Sequence, residues 1–357
     1  MTGSPETAIG VVGRREGIAV RLCRTRGGTA YFTPSVRLDR GRFLFGEIEM
    51  IDKPMDILTH FPIRRTPVQK QAFRESICGY LSGQGIECHT EETQKNCHNL
   101  VVGDLSTAEY LVTAHYDTPA SIGIPNVMIP CNLFFFIAYQ MLVICVFFLA
   151  AFVLGAVAWL ITNDQRITFV AAYVGYFGVL LLMLYGPANR HNVNDNSSGV
   201  ITLLETLITL PEEVRKKVCF VLFDKEEYGL VGSKAFRKKH KAETENIFML
   251  NLDCVGDGDY ITLFPSKKLK KDPNRLKKLE AVSTADGQKT VAVWQKMFQF
   301  NSDQKNYPIS VGIGAFHKNK LVGLCCGRIH TCRDTVLDEK NVITIRDSLI
   351  KLLSDTE

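Results

Sequence analysis

Five short segments of the sequence bring imidazole and carboxylate side chains together, and four of them end an apolar run. Zinc binds imidazole nitrogen and carboxylate oxygen, and a catalytic zinc site keeps one position open for water. Two imidazoles and three carboxylates from these segments would make such a ligand set. The segments are His115-Tyr-Asp117, Asn194-Asp195-Asn196-Ser-Ser-Gly199, Asp224-Lys-Glu226-Glu227-Tyr-Gly229, Asn251-Leu-Asp253 and Ile329-His330-Thr331-Cys-Arg-Asp334-Thr335.

Each segment by itself is a weak signal for a metal site. A lone histidine after a strand is more often a hydrogen-bonded core or loop residue than a ligand. A pair such as Glu226-Glu227 usually lies on the surface. The joint occurrence of all five segments in one chain favours a metal site over these ordinary explanations.

The elements around these segments indicate how they would meet. Residues 110–115, 218–223 and 247–252 have the pattern of buried strands, and helices are predicted from Pro67 to Leu81 and from Val200 to Leu210. Strands that alternate with helices predict an α/β fold of three layers, with a mostly parallel, mixed sheet covered by helices. Reactive groups in such a sheet collect beyond the carboxyl ends of the strands.

Two apolar segments interrupt this pattern. Residues 133–161 and 167–185 contain no charged side chain, and only a short polar loop separates them. Each is long enough to cross about 30 Å of hydrocarbon, which requires about 20 helical residues. The sequence therefore predicts a two-helix transmembrane hairpin, inserted over residues 127–187, whose ends emerge on the same side of the membrane. A buried helix pair in a large soluble core is the alternative.

The composition of the chain indicates its cellular compartment and the classes of partner to expect. The net charge is +5 over 357 residues, and the lysine-rich patches lack interleaved aromatic residues, so no nucleic-acid partner is expected. The eleven cysteines show no Cys-x-x-Cys spacing and no framework of paired disulfides. Together with the missing signal peptide, they predict a catalytic domain that faces the cytoplasm.

The first 49 residues differ in composition from the rest of the chain. They contain eight arginines and no lysine, whereas residues 50–357 contain eleven arginines and twenty-three lysines. We expect residues 1–49 to be a poorly structured, Arg-rich extension. A targeting peptide, a disordered arm and a start codon assigned upstream of Met50 are all compatible with this composition.

Taken together, the motifs resemble those of the family-twenty-eight metallopeptidases, which are di-zinc aminopeptidases related to bacterial leucyl aminopeptidase and glutamate carboxypeptidase. The likeness covers about residues 55–118 and 188–350, with the motifs in the same order. It implies a catalytic domain formed by residues 50–118 and 188–357. The separation of 80 positions between His115 and Asp195 is longer than in the family, which is consistent with an inserted hairpin.

The resemblance also implies a role for each candidate residue. Two zinc ions per chain would be bound, one by His115 and Asp253 and the other by Glu227 and His330, with Asp195 bridging both. Asp117 would orient the His115 imidazole, and Glu226 would be the general base that activates a water molecule against a peptide bond. Those seven residues are the predicted site.

The implied function is a membrane-anchored zinc aminopeptidase that acts on peptide substrates. A carboxypeptidase or dipeptidase remains open, because no motif identifies the residues that recognise the substrate terminus. A glutaminyl-cyclase-like enzyme of the same fold, with a single metal, and a non-catalytic receptor-like relative are further alternatives. The inserted hairpin would hold the active-site face near the bilayer, so substrates close to a lipid interface are expected.

Overall fold

The computed structural model describes residues 50–121, 126–285 and 289–355, and four short strands nearer the N-terminus. These four strands pair with one another in chain order as a separate antiparallel sheet. The sequence predicted little regular structure for this segment, so the strands were not anticipated. They are β1 (Gly10–Arg15), β2 (Ile18–Arg24), β3 (Ala30–Arg37) and β4 (Phe43–Phe45).

The main sheet contains ten of the described strands. Its order is β11-β12-β10-β13-β9-β7-β8-β6-β5, and β14 pairs with β13. The four central strands, β8, β7, β9 and β13, run parallel, whereas β6, β10 and β12 run in the opposite direction. The predicted mostly parallel, mixed sheet is confirmed. The strands are β5 (Cys88–Gln94), β6 (Cys97–Val102), β7 (Tyr110–His115), β8 (Val218–Phe223), β9 (Phe248–Leu252), β10 (Tyr260–Pro265), β11 (Thr284–Ala285), β12 (Thr290–Val293), β13 (Ser310–Asn319) and β14 (Gly323–Cys325).

Helices cover both faces of this sheet. The start of α2 shows why its residues form a helix: Thr66 and Gln69 cap each other's backbone N–H groups, and Pro67 occupies the first helical position. The helices are α1 (Ile57–His60), α2 (Pro67–Gly83), α3 (Leu133–Thr162), α4 (Gln165–Tyr185), α5 (Gly199–Thr209), α6 (Glu212–Arg215), α7 (Val231–Lys239), α8 (Pro273–Ala281) and α9 (Glu339–Ser354).

The period-two alternation of the central strands builds a core on each face of the sheet. Val112 and Leu222 point to the face covered by α2, α5 and α9. Leu111 and Phe223 point to the other face, where they pack with Phe236 of α7. Because these strands are buried on both faces, they contain apolar residues at nearly every position.

The two apolar segments form α3 and α4, which pack against each other as an antiparallel hairpin. Gly175 allows this close approach, since a Cβ atom there would lie 2.6 Å from the Ala150 carbonyl oxygen. The most apolar windows of the two helices have mean hydropathies of 2.9 and 2.2, and only 6% of each window is buried. Both helices are therefore long and apolar enough to cross a membrane, and they are not the buried core pair that was the alternative.

A short neck connects the hairpin to the α/β domain. Ala120 and Ala188 pair as an antiparallel bridge. The Ser121 N–H donates to the Pro187 carbonyl, and the Asn189 N–H donates to the Pro119 carbonyl. The chain therefore leaves and re-enters the domain at one place.

A disulfide joins Cys78 of α2 to Cys88 of β5. The expectation that the cysteines are unpaired is wrong for these two. The pair was hidden in the sequence because the helix end at Gly83 and the turn that follows bring α2 back to β5, which the spacing of the cysteines does not reveal.

Candidate metal centre

Three of the ligand segments lie side by side at the carboxyl ends of central strands of the main sheet. His115 is the last residue of β7, Glu226 and Glu227 follow β8, and Asp253 follows β9. Since β8, β7 and β9 are adjacent and parallel, their carboxyl ends meet at this edge. Asp195 joins them from the kinked helical turn before α5.

His330 reaches the same place from the loop between β14 and α9. Its Nε2 lies 3.0 Å from Asp195 Oδ2 and 3.4 Å from Glu227 Oε2. His115 Nε2 lies 3.2 Å from Asp195 Oδ1 and 3.8 Å from Asp253 Oδ1. The five predicted ligands are thus brought together, and the two carboxylate oxygens of Asp195 face different histidines.

Three overlapping groups of candidate ligands follow from this arrangement. Within each group, the potential ligand atoms lie within 4.8 Å of one another. Asp195 belongs to two groups, as expected for a bridging carboxylate. The groups are His115 with Asp195 and Asp253, Asp195 with Glu227 and His330, and His115 with Glu226 and Glu227.

Asp117 is buried beside the cluster, and it makes more contacts than the predicted one with the His115 imidazole. Its Oδ1 lies 3.5 Å from His115 Nδ1. The same oxygen accepts the Glu226 N–H at 2.9 Å, and Oδ2 accepts the Glu227 N–H at 3.3 Å. Asp117 therefore orients the backbone of the two glutamates as well as facing the imidazole.

Asp334 and Asn194 organise the ligand loops, and neither was singled out from the sequence although both lie in the quoted motifs. The Asp334 carboxylate accepts the backbone N–H groups of Asn194 and Asp195 at 2.7 and 3.1 Å. The Asn194 side-chain oxygen accepts the N–H groups of Gly256 and Asp257. These bonds connect the loops that carry His330, Asp195 and Asp253.

Arg64 is a third such residue, and no sequence signal marked it. Its side chain is fully buried. The guanidinium donates to the Phe61 and Tyr116 carbonyls and to Ser197 Oγ at 3.0 Å. Burial lowers the Arg64 pKa to about 10, so the group stays charged at neutral pH. Tyr116 follows His115 and Ser197 lies two residues after Asp195, so Arg64 ties the two ligand turns together.

Asp303 is a further buried carboxyl group near the cluster. Neither of its side-chain oxygens has a hydrogen-bond partner among the described residues. Burial raises its pKa to about 7. The sequence around Asp303 has no ligand-like spacing, which is why it was missed.

Unusual backbone conformations concentrate at the site. Lys225 and Cys254, which adjoin Glu226 and Asp253, have φ values of +56° and +55°, and His330 has a φ of +58°. Non-glycine residues rarely adopt this left-handed region, and such strain tends to cluster at functional sites.

The electrostatics of the cluster follow from burying imidazoles and carboxylates together. Burial opposes the charged imidazolium, but the surrounding carboxylates outweigh it and raise the pKa of both His115 and His330 well above the usual range. Burial likewise opposes the charged form of Asp195, yet the two imidazoles lower its pKa. For Glu226, burial and the neighbouring carboxylates raise the pKa well above the usual range, against the charge of His115.

The donor set fits zinc. Both nitrogens of His115, one oxygen of Glu227 and one of Asp253 are buried without a hydrogen-bond partner among the described residues. Buried polar atoms are normally paired, so these atoms require another partner. Ligands of a tetrahedral zinc ion at about 2.0–2.1 Å are roughly 3.4 Å from one another. The observed separations of 3.0–3.8 Å match that spacing.

A family model matches part of this chain. Residues 182–342 match the model of Peptidase family M28, which confirms the resemblance indicated by the motifs. No curated protein matches the sequence.

Solved structures share the fold at low sequence identity. A zinc-dependent exopeptidase from Parabacteroides distasonis is 13% identical, with a TM-score of 0.53 over 85% of this chain and 96% of that chain. A glutaminyl cyclase from Porphyromonas gingivalis is 14% identical, with a TM-score of 0.53 over 85% and 97%. LapB from Legionella pneumophila is 13% identical, with a TM-score of 0.50 over 84% and 71%. These similarities establish the α/β fold alone.

Proposed function

We propose, from the premise that this chain carries the Peptidase family M28 pattern, that it is a membrane-anchored zinc exopeptidase with two metal ions, and that it acts as an aminopeptidase. The observation that carries the proposal is the placement of Asp195, whose Oδ1 faces His115 and whose Oδ2 faces His330. A carboxylate shared in this way supports two metal positions rather than one.

In this proposal His115 and Asp253 hold one zinc ion, Glu227 and His330 hold the other, and Asp195 bridges them. When bound, the two ions polarise a scissile carbonyl group and favour ionisation of a water molecule. The placement of His115 supports its role as a ligand through Nε2, because Nε2 faces Asp195 and Asp253 while Nδ1 faces Asp117.

Glu226 is proposed to move the proton. Its carboxylate lies in one group with His115 and Glu227, so it borders the metal positions. It would take a proton from the attacking water and deliver it to the departing amine. Asp117 supports this role because it holds the Glu226 backbone N–H, which fixes the turn that aims the carboxylate.

Cleavage at the amino terminus is favoured by the charge of the site. The carboxyl groups of Asp117, Glu226 and Asp303 lie near the cluster in addition to the three carboxylate ligands. Carboxylates whose charge the two zinc ions do not offset would attract a protonated amino terminus and repel a carboxyl terminus.

The decisive experiment compares detergent-purified wild type with Glu226→Gln and with Glu243→Gln, an exposed control away from the site. Zinc is measured by plasma emission spectrometry, and hydrolysis is measured with aminoacyl-anilides and with N-acetylated peptides. We expect about two zinc ions in all three proteins. Cleavage of free-amine substrates should fall about 10²- to 10⁴-fold in Glu226→Gln alone.

Other results would identify the alternatives. Zinc binding with cleavage of N-acetylated peptides from the C-terminus would indicate a carboxypeptidase. One zinc ion with formation of pyroglutamate from N-terminal glutamine would indicate a cyclase. No stoichiometric metal would indicate a receptor-like relative and would refute the enzyme proposal.

Membrane anchoring is the second part of the proposal. It is supported by the length, apolar composition and exposure of α3 and α4. Soluble monomers rarely expose apolar patches above about 300–600 Å², whereas most large apolar side chains of α3 and α4 are exposed over the whole length of both helices. The chain should stay in the membrane pellet after extraction with alkaline carbonate, and release into the supernatant would contradict the anchoring.

The side of the membrane is proposed to be the cytoplasm, although the disulfide between Cys78 and Cys88 is more typical of an oxidising compartment. The exposed free thiol of Cys332 offers a direct test. In a Cys23→Ser background, a membrane-impermeant maleimide should label Cys332 only after the cells are lysed. Labelling in intact cells that disappears in Cys332→Ser would place the catalytic domain outside.

A further inference from the structure

A basic cleft lies beside the metal centre, where the membrane hairpin meets the α/β domain. It has a volume of about 660 Å³, which is within the range of small-molecule sites. The first turns of α2, the β5–β6 hairpin, the turn after β8 and the end of α4 enclose it. Its polar and aromatic lining includes Arg65, Lys70, Arg74, Asn96, Lys225 and Tyr228.

The cations of this cleft exceed its anions. Asp224 is the single carboxylate in the lining. Its Oδ1 pairs with the Lys70 ammonium at 2.5 Å, and its Oδ2 accepts the His98 N–H at 3.1 Å. Both carboxylate oxygens of Asp224 are therefore occupied by these two groups, and Asp224 does not compensate the charge of the other cations of the cleft.

Three cations have no carboxylate within 4 Å in the part of the chain that the structure describes. Arg65 donates to the Thr118 and Leu184 carbonyls, and Arg74, which is only 8% exposed, donates to the Tyr116 hydroxyl at 2.7 Å. Lys225 is half-buried beside them. The partners of Arg65 and Arg74 are neutral oxygens and the rings of Tyr228 and Tyr116, and none of them carries a negative charge. An external anion would therefore stabilise the cleft.

The position of the cleft points to the source of that anion. Leu184 and Tyr185, the last residues of α4, form part of its wall. The 21 residues of α4 span about 32 Å, which is close to the hydrocarbon thickness, so its end lies at headgroup level. Tyr185 is 67% exposed and its ring lies 5.9 Å from the Tyr228 ring, as in the aromatic belts of membrane proteins.

We propose that this cleft binds a phosphate-bearing anion, supplied by the headgroup of an anionic phospholipid in the surrounding bilayer. The headgroup phosphate lies between Lys225, Arg65 and Arg74, and the acyl chains follow the apolar surface of α4. Because Lys225 precedes Glu226 and Tyr228 follows Glu227, lipid binding would also hold the turn that carries both glutamates. This inference rests on the proposed membrane insertion of α3 and α4, and it does not depend on peptidase activity.

The test is a lipid titration of the full-length protein in a neutral detergent. Dihexanoyl-phosphatidylglycerol, dihexanoyl-phosphatidylcholine and inorganic phosphate are added separately, and the melting temperature is followed. We expect saturable stabilisation by phosphatidylglycerol. Phosphatidylcholine should have no effect, and inorganic phosphate should bind at least about tenfold more weakly, because it lacks the acyl chains that contact α4.

Two variants change the charge of the cleft at positions with little risk to the fold. Lys225→Gln removes a cation, and Asn96→Asp adds a carboxylate at an exposed residue whose φ of +60° suits aspartate. Each should weaken phosphatidylglycerol binding about fivefold, since a basic residue near a lipid surface contributes about 1 kcal/mol. Arg190→Gln is the matched control, because Arg190 is an exposed cation of the neck outside the cleft.

Several results would overturn the inference. Equal affinity for inorganic phosphate and phosphatidylglycerol would identify a free phosphate site instead of a lipid site. An equal effect of Arg190→Gln would indicate diffuse surface attraction, and no saturable stabilisation would mean that the cleft binds neither. Repeating the titration on chelator-treated protein separates this outcome from the peptidase proposal, because no predicted zinc ligand lines the cleft.

Discussion

Replacing Arg64 with lysine tests whether the metal centre depends on one buried guanidinium. The three guanidinium nitrogens of Arg64 donate to four acceptors, which are the carbonyls of Phe61 and Tyr116 and the side-chain oxygens of Ser197 and Asn192. A lysine ammonium places all its donors on one nitrogen and lacks the planar fork, so it cannot serve all of these acceptors. At least one buried acceptor would lose its partner.

The expected magnitude follows from those bonds. A hydrogen bond to a charged group contributes about 1.5–3 kcal/mol, and a buried acceptor left unpaired costs about 1–3 kcal/mol. We therefore expect Arg64→Lys to lower the free energy of unfolding by about 3 kcal/mol, which corresponds to a fall of roughly 6–12 °C in melting temperature. Because Arg64 joins the turns of His115 and Asp195, zinc affinity should also fall about 10- to 100-fold.

Thermal unfolding of the zinc-loaded protein in detergent, together with chelator competition for zinc, measures both effects. Arg215→Lys is the control, because Arg215 makes no side-chain hydrogen bond among those the structure records for the described residues, and it should change stability by less than about 0.5 kcal/mol. A melting temperature for Arg64→Lys within about 2 °C of wild type, with unchanged zinc affinity, would refute the reasoning.

Three other predictions follow from the structure. Removing the metal with a chelator should lower the melting temperature reversibly, since zinc at about 100 times its dissociation constant stabilises by about 2.7 kcal/mol per site, and an unchanged melting curve would contradict the metal assignment. Gly232→Ala should cost about 1–3 kcal/mol, because its Cβ would lie 2.1 Å from the Asp224 carbonyl oxygen, whereas Gly83→Ala meets no atom within 4 Å and should be neutral. Replacing Cys78 and Cys88 together by serine should cost about 2–3 kcal/mol in chemical denaturation, as expected for closing a loop of this length, and equal stability would show that the bond is not formed in solution.

The parts of the fold that the sequence predicted are those with strong periodic signals. Residues 110–115 and 218–223 form β7 and β8 at the predicted boundaries, because strands buried on both faces are apolar throughout. The two long apolar segments form α3 and α4 within a few residues of the prediction. Strands β10 and β12, which run opposite to the central strands, were not predicted, since their pairing depends on long-range contacts across the sheet.

Some residues of the candidate site could likewise be predicted from the sequence, and others could not. The five candidate ligands could be selected from the sequence because imidazole and carboxylate side chains that follow predicted strands indicate a metal site even before the fold is known. Arg64 and Asp303 could not, because only the folded chain brings them close to the cluster. Arg64 contacts Ser197, which is 133 positions distant, and nothing in its own neighbourhood distinguishes it from an ordinary surface arginine.

The neck relates the hairpin to the chemistry. It leaves the domain at Ala120, five residues after His115, and returns at Ala188, seven residues before Asp195. Asn189 also donates to the Thr331 carbonyl, next to His330. All these residues lie at the edge of the sheet where the strands β7, β8 and β9 end, so a hairpin in the bilayer would hold the metal centre on the membrane side of the domain. This geometry supports the proposal that the substrate is a peptide close to the lipid interface, because a terminus far from the membrane would have to enter between the domain and the bilayer.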